Sequence, residues 1–240
     1  MVALVPSFQA LAIFCTLAFA APASHVAHRD THPHTHHVRS LPNGLEMRTY
    51  HPRSTFETFG AGVEHPLSKR ANPTIRAAGM AYINEKLGAD AVWRSTLPRN
   101  ASTSHVFAYQ AVNGIPVANS VANVALNSAG KVVAFSQNFV KTDKAASAKP
   151  KITVDAAVAS ATKLLTGSAT GRETSLKYYA LEDDTLALTH SVELKLKNQH
   201  TVRAFVDAQS GDVRGMFDFT SNLAVSRPRL SNIGCLISVC

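Results

Sequence analysis

The sequence predicts an α+β fold of two tandem units, each a helix followed by an antiparallel sheet. The predicted helix caps Asn72 and Thr153 lie 81 residues apart (153 − 72 = 81), and so do the hairpin glycines Gly130 and Gly211 (211 − 130 = 81). Alternating apolar and polar runs follow each helix. A sheet with one polar face needs a helix on its other face to bury its apolar side chains. Two units in a bilobed molecule therefore explain the repeat.

The first unit is predicted at 72–140. Asn72 suits the N-cap and Pro73 the first helical position, while Gly88 suits the C-terminal stop, so a helix is expected at about 73–87. Its apolar face repeats every four residues, at Ile75, Gly79, Ile83 and Leu87. After a loop, alternating runs predict strands at 105–112, 121–126 and 132–140.

A Lys-, Ala- and Ser-rich linker, 141–150, leads to the second unit at 151–222. Thr153 is expected to cap a second amphipathic helix, and Gly167 to end it. Strand-like runs follow at 176–181, 190–197, 202–206 and 213–219. The tail, 223–240, has neither a helical nor a strand period.

The N-terminus predicts a secretory signal peptide at 1–20. Its apolar run ends in Ala18-Phe19-Ala20, a small-x-small cleavage pattern after Ala20, and is too short for a membrane span of about 20 residues. The product is therefore expected to be soluble, secreted and extracellular, with no membrane partner. Cleavage would remove Cys15 and leave Cys235 and Cys240, which exclude a disulfide-framed mini-protein.

An extended arm is predicted at 21–71, and its first part is rich in histidine. Neutral imidazole is a common metal ligand, but this stretch offers few partner carboxylates and no cysteine, which favours a solvated spacer over a specific zinc or copper site. An intermediate possibility is that the histidines become charged near pH 6 and thereby release the chain from a partner protein. The histidines are His25, His28, His32, His34, His36 and His37.

Four further features are interpreted as a processing site, a glycosylation site, a solvated turn and an anchor. Lys69 and Arg70 form a dibasic pair that suits a kexin-like processing protease, with a new N-terminus at Ala71. Asn100 begins an N-x-S sequon in a polar loop, which predicts N-glycosylation. Asp183-Asp184 is interpreted as a solvated turn. The sole tryptophan, Trp93, is expected to anchor a core or an interface.

Composition and motifs exclude several function classes. The formal charge of +8 comes from scattered Lys and Arg with no aromatic-basic recognition motif, which favours an acidic protein partner over nucleic acid. There is no H-E-x-x-H zinc motif, no G-x-S-x-G elbow, no P-loop and no G-x-G-x-x-G in the sequence. No catalytic, cofactor-binding or metal residue is therefore assigned, and the chain is not expected to be an enzyme as it stands.

Several segments together resemble a known family. They are His51-Pro52-Arg53-Ser54-Thr55, His65-Pro66-Leu67-Ser68-Lys69-Arg70, His105-Val106-Phe107-Ala108-Tyr109-Gln110, Val112-Asn113-Gly114-Ile115-Pro116-Val117, Asn127-Ser128-Ala129-Gly130-Lys131-Val132-Val133 and Ala204-Phe205-Val206-Asp207-Ala208-Gln209-Ser210-Gly211-Asp212-Val213. Residues 38–225 resemble the propeptide of fungalysin-type secreted fungal metallopeptidases. Within them, about 82–133 resembles the fungalysin/thermolysin propeptide (FTP) motif, and about 152–219 a PepSY-type unit with a cystatin-like fold.

The resemblance implies a zymogen prosegment that inhibits a zinc metalloendopeptidase and assists its folding, in cis or in trans. Zinc is expected only in a catalytic domain, which would follow such a propeptide. The resemblance stops after 218–222, which is interpreted as a truncated gene model in preference to a standalone inhibitor. Two alternatives remain open: a fragment of a full-length extracellular metalloprotease, and an extracellular α+β binding module.

Overall fold

The computed structural model describes residues 27–30, 36–41, 44, 46–100, 103–197 and 200–219. The predicted signal peptide with Ala20, the tail 223–240 and all three cysteines lie outside the described residues. So do His25, His32 and His34 of the histidine-rich stretch.

The first helix, α1 (Ile75–Leu87), begins two residues later than predicted. Thr74 is its N-cap and accepts a hydrogen bond from the backbone N of Ala77, whereas Asn72 lies in the preceding turn with φ 45°. Asn72 therefore lacks the extended conformation of an N-cap residue, which Thr74 adopts with φ −64° and ψ 151°. Gly88 ends the helix in the left-handed conformation, with φ 55°, as predicted.

The second helix, α2 (Val154–Leu165), begins as predicted. The Thr153 side chain accepts from the backbone N of Ala156. The helix ends at Thr166, which takes the left-handed conformation with φ 49°, and Gly167 already opens the next strand. The spacing between the caps Thr74 and Thr153 is thus two residues shorter than the spacing between the hairpin glycines Gly130 and Gly211.

Thirteen strands are present in the described residues. Four precede α1: β1 (Ala27–Asp30), β2 (His36–Ser40), β3 (Glu46–Tyr50) and β4 (Thr55–Val63). Four lie between the helices: β5 (Ala91–Asn100), β6 (Thr103–Val112), β7 (Ile115–Asn127) and β8 (Val132–Gln137). Five follow α2: β9 (Gly167–Ala169), β10 (Ser175–Ala180), β11 (Leu186–Leu196), β12 (Thr201–Asp207) and β13 (Val213–Asp218).

The predicted α+β class of two helix-plus-sheet units is confirmed. In each unit a helix precedes a meander of four antiparallel strands, β5 to β8 in the first and β10 to β13 in the second. The last two strands of each meander are joined by a turn in which the glycine has positive φ, 77° at Gly130 and 86° at Gly211. Such a conformation favours glycine, so the two hairpin glycines do mark equivalent positions.

Each helix covers one face of its own meander. In the first unit Ile83 of α1 is fully buried with Val106, Val124 and Phe135. In the second unit Leu165 of α2 packs with buried side chains of two strands, β11 and β12, namely Val192, Leu194, Leu196, Val202, Ala204 and Val206. Full burial of one such large side chain contributes about 1.5–3 kcal/mol. Each unit therefore has its own apolar core.

The arm predicted at 21–71 differs from the structure, because much of it belongs to the two units. Strand β4 pairs with β8 along the first sheet, and Phe59 on β4 lies in the core, 5% exposed. Strand β3 pairs with β2, and its Met47 packs into the core of the second unit. The glycines Gly60 and Gly62 interrupt the apolar alternation of β4, so the strand was not evident from the pattern.

Strand β5 replaces the loop predicted between α1 and the first strand. It pairs with β6 only, within the described part of the chain, so it is an edge strand. The segment contains Pro98 and Arg94, and proline and charge are usual features of an edge strand.

Candidate partner-binding face

The two meanders join in one sheet of eleven strands within the described residues. The joint is made by β7, whose second half pairs with β8 while Val117 in its first half pairs with Tyr178 of β10. That pairing is parallel, whereas the pairings inside each meander are antiparallel. One continuous surface therefore crosses from the first unit to the second.

A buried asparagine connects β7 to β10 through side-chain hydrogen bonds. Asn119 Oδ1 accepts from the backbone N of Ala180 at 2.8 Å, and its Nδ2 donates to the carbonyl of Ala180 at 2.9 Å. The same Nδ2 donates to the carbonyl of Tyr50 at 3.2 Å, which ties β3 to the joint. The side chain thus supplies the hydrogen bonds that a further backbone pair would make between β7 and β10.

A second buried polar group holds the segment that leaves β8. Gln110 Nε2 donates to the carbonyl of Val140 at 2.6 Å, and its Oε1 accepts from Val140 N at 2.9 Å and from Ser120 Oγ at 2.7 Å. The linker beyond it is docked as well, since Ala146 N donates to the Leu186 carbonyl and Tyr178 Oη donates to the Ala146 carbonyl, both at 2.8 Å. The predicted linker 141–150 therefore begins in ordered contact with the second unit.

One face of the joined sheet carries neither helix. On β6 and β12 the residues Ala108 and Ala204 face α1 and α2, so by strand alternation Tyr109 and Phe205 point to the opposite face. Aromatic rings cover this face over the second unit. The ring centroids of Tyr179 and Phe205 are 5.1 Å apart, and those of Phe205 and Phe217 are 5.0 Å apart. Burial raises the pKa of Tyr179, whose hydroxyl donates to the Tyr50 carbonyl at 3.1 Å.

A pocket of about 250 Å³ opens on this helix-free face where the two units meet. Three cations from three strands line it: Arg94 of β5, Lys177 of β10 and Arg203 of β12. We call it the basic pocket. The Arg94 guanidinium lies 5.2 Å from the Tyr109 ring centroid and the Lys177 ammonium 5.0 Å from it. The sequence showed these cations as scattered, and only the pairing of the strands brings them together.

The basic pocket holds more positive than negative charge. Arg203 is paired with Glu193, with 2.8 Å between Nη2 and Oε2, but Lys177 and Arg94 have no carboxylate partner among the described residues. Burial lowers the pKa of Lys177, and the charges of Arg203 and Arg94 lower it further. The arrangement can therefore accept an anion.

The dibasic pair lies in a compact turn and not in an extended linker. Arg70 N donates to the Leu67 carbonyl at 2.9 Å, while Ser68 Oγ donates to the His65 carbonyl and accepts from His65 N, both at 2.8 Å. His65 is 7% exposed and anchors the turn, whereas Lys69 and Arg70 are exposed. The turn borders a cleft of about 480 Å³ between the start of α1 and the β7–β8 hairpin.

The other predicted site residues lie apart from both the pocket and the turn. Asn100 is the last residue of β5 and its backbone pairs with Thr103, so the sequon begins in a strand and not in the predicted polar loop. His36 Nε2 lies 3.1 Å from Glu182 Oε2, and the His37 ring packs edge-on against the His51 ring at 4.7 Å. No group of three or more potential metal ligands is present among the described residues.

Two further interpretations can be compared with the structure. Asp183 accepts from the Thr185 hydroxyl at 2.6 Å and Asp184 has φ 60°, so the acidic pair does occupy a turn, and these hydrogen bonds lower the pKa of Asp183. Trp93 is not a core residue, because it is 41% exposed and the Arg76 guanidinium covers its ring at 4.1 Å.

Comparison with known proteins places one motif on this fold. Residues 98–139 match the family described as Fungalysin/Thermolysin Propeptide Motif. The chain is also similar to the solved C-terminal domain of YpeB from Bacillus megaterium, at 13% identity and a TM-score of 0.40, over 84% of this chain and 92% of that one. No curated protein matches the sequence. In the described residues, no helix is long and apolar enough to cross a membrane.

Proposed function

We propose that the chain is the prosegment of a secreted fungalysin-type zinc metalloendopeptidase and acts as inhibitor and folding assistant of the catalytic domain. Residues 98–139, from the end of β5 to just past β8, match the fungalysin/thermolysin propeptide motif. The motif match is the observation that carries the proposal. The match describes a propeptide, which is a binding and folding element and not a catalytic one.

The fold supports this role physically. Both units have complete cores of their own, so the chain presents an ordered surface before the partner is folded. Such a surface loses little conformational entropy on binding, and burial of about 800 Å² on each partner gives a specific complex. Strand β5 is an edge of the sheet within the described residues. An edge strand can pair with a strand of a partner.

Zinc does not fit the described residues of this chain. None of them form a group of three or more histidine, cysteine, aspartate or glutamate ligands, and the sequence lacks H-E-x-x-H. The metal belongs, in this proposal, to the catalytic domain, and inhibition consists of excluding substrate from that domain's cleft.

Secretion and processing complete the proposal. The signal peptide directs the chain out of the cell, Asn100 receives a glycan, and a kexin-like protease cuts after Arg70. The exposure of Lys69 and Arg70 supports the last step. The partner is a catalytic domain that meets the prosegment in cis or in trans.

Inhibition and refolding assays test the proposal. The secreted chain is mixed with a purified fungalysin-type catalytic domain, and hydrolysis of a peptide substrate is followed. We expect inhibition that saturates at one chain per protease, and a higher yield of active enzyme when the denatured catalytic domain is refolded with the chain present. A serine protease serves as control and stays active. An unchanged rate together with an unchanged refolding yield would contradict the proposal.

A further inference from the structure

The basic pocket on the helix-free face has the properties of a carboxylate site. We propose that it binds one carboxylate group, supplied by an acidic side chain of the partner protein. That the partner is the protease catalytic domain rests on the proposed function, whereas the carboxylate chemistry rests on the pocket itself.

The first argument is an excess of cations without counter-charge. Arg94, Lys177 and Arg203 line one pocket of about 250 Å³, and no aspartate or glutamate of the described residues lines it with them. Glu193 reaches Arg203 from outside the pocket at 2.8 Å and also lies 3.6 Å from Arg172, so its single charge is divided. Two of the three cations in the pocket remain uncompensated by the described residues.

The second argument is energetic. Like charges that converge in a partly desolvated place repel each other, and folding holds them there only because the rest of the sheet determines their positions. Burial lowers the pKa of Lys177 most, and the Arg203 and Arg94 guanidinium groups lower it further through this repulsion. A bound anion offsets this repulsion, so anion binding is electrostatically favourable at this site.

The third argument concerns which anion fits. Aromatic rings form much of the remaining wall, with the Arg203 guanidinium 4.9 Å from the Phe219 ring centroid and Phe205 and Phe217 beside it. Guanidinium and ammonium groups donate charge-assisted hydrogen bonds to a carboxylate, while apolar walls suit the methylene groups that carry it. A glutamate or aspartate side chain has both parts.

The charge of the whole chain favours a protein as the source. The formal net charge is +8, which attracts an acidic partner and speeds encounter with it. The pocket lies on the face that spans both units, so a partner that places an acidic side chain there also contacts both meanders.

Titration with small carboxylates tests the pocket without any protease. The probes are N-acetyl-glutamate α-amide, which carries a side-chain carboxylate, N-acetyl-phenylalanine, which carries a terminal one, and N-acetyl-phenylalaninamide, which carries none. Binding to the secreted chain is followed by the NMR shift of the Lys177 ammonium and by calorimetry at low salt. We expect the glutamate probe to bind and the neutral amide not to bind. The proposed side-chain site would be overturned if the glutamate probe bound no better than the neutral amide, or if neither acid bound. It would also be overturned if N-acetyl-phenylalanine bound more tightly than the glutamate probe.

Matched variants locate the site. Lys177→Met is expected to weaken binding of the glutamate probe about tenfold or more, since a charge-assisted hydrogen bond is lost. Lys163→Met removes the same charge from the exposed side of α2 and should leave binding unchanged. Arg94→Met is a second pocket variant, in case the first one misfolds. Equal weakening by the α2 variant and the pocket variants would show general charge attraction and overturn the site.

Inhibition assays then separate this inference from the proposed function. If the wild-type chain inhibits the catalytic domain and Lys177→Met raises the inhibition constant about tenfold while Lys163→Met does not, the partner's carboxylate enters the pocket. If both variants inhibit like the wild type, the pocket's role in docking is overturned and the proposed function stands. If the wild type binds the glutamate probe but inhibits no metalloprotease, the proposed function fails and the carboxylate site stands.

Discussion

Asn119 and Ala180 exchange two hydrogen bonds across the boundary between the two units, at 2.8 and 2.9 Å. Asn119 is 4% exposed and Ala180 is 1% exposed, so water cannot replace these bonds. An asparagine side chain has the same donor and acceptor as a peptide group, and here it extends the pairing of β7 with β10 beyond their single parallel pair.

Asn119→Leu is therefore expected to destabilise the chain strongly. It would leave the backbone N and carbonyl of Ala180 buried without partners, at about 1–3 kcal/mol for each group. We expect a loss of about 3 kcal/mol in the free energy of unfolding, measured by urea denaturation. Asn84→Leu, on the exposed side of α1, is the matched control and should change stability by less than about 0.5 kcal/mol. Equal effects of the two changes would contradict the role of Asn119.

Gly79→Ala is expected to destabilise the first unit, although alanine favours helices. A Cβ at Gly79 would lie 2.6 Å from the Cβ of Val106 on β6, too close for any real contact. Overpacking costs about 1–3 kcal/mol and helix propensity returns only about 0.5–1 kcal/mol, so the net effect is a loss. Thermal unfolding of Gly79→Ala, Val106→Ala and the double variant tests this. The double variant should be more stable than the sum of the single changes predicts, and simple additivity would contradict direct contact.

The repeat of helix and meander could be predicted from the sequence because its signals are local. Thr153 caps α2 through its own side chain, and Gly130 and Gly211 take positive φ in equivalent turns. The cap of α1 was misplaced because Asn72 and Pro73 form a good cap in isolation, while the chain reaches the helix only at Thr74.

The joined sheet and the basic pocket could not be predicted, since both depend on pairing between distant strands. The alternation of apolar and polar residues along β10 and β12 indicates which face of its own strand Lys177 or Arg203 occupies. Nothing local to either strand indicates that Val117 pairs with Tyr178 and thereby brings Arg94 and Tyr109 beside them. Likewise, no local pattern shows that Phe59 returns to the core beside Phe135.

Asp207 is expected to make the second unit sensitive to acid. Burial alone would raise its pKa, but backbone N–H groups of Gln209 and Ser210 and the Arg214 guanidinium, 2.7 Å away, outweigh burial and hold the pKa below its usual range. A depressed folded-state pKa contributes stability that is present above the unfolded pKa and lost as pH falls through the folded value.

Comparison of the wild type with Asp207→Asn across pH measures this contribution. The difference in free energy of unfolding should be largest near neutral pH and should shrink below about pH 4, the usual pKa of an aspartate. Asp212→Asn is the control, because Asp212 is exposed and lies 3.8 Å from Arg214. We expect it to show little dependence on pH. A constant difference for Asp207→Asn would contradict the depressed pKa.

Cleavage after Arg70 is expected to nick the chain without releasing the segment before it. Strand β4 pairs with β8 and buries Phe59, and Thr49 Oγ1 donates to the Met216 carbonyl at 3.3 Å, so the new N-terminal fragment stays packed on both units. After treatment of the secreted chain with a kexin-like protease, N-terminal sequencing should show a start at Ala71. Size-exclusion chromatography should then show one species, which a denaturing gel resolves into two.

The turn around the dibasic pair should also control the rate of that cut. Proteases bind their substrates as extended segments, and the hydrogen bonds between Ser68 and His65 hold this one in a compact turn. Ser68→Ala removes those bonds, so cleavage should become severalfold faster because the turn opens more often. Arg70→Gln removes the recognition pair and should block the cut. Separation of the fragments in native buffer, or an unchanged rate in Ser68→Ala, would show that neither β4 nor the turn restrains processing.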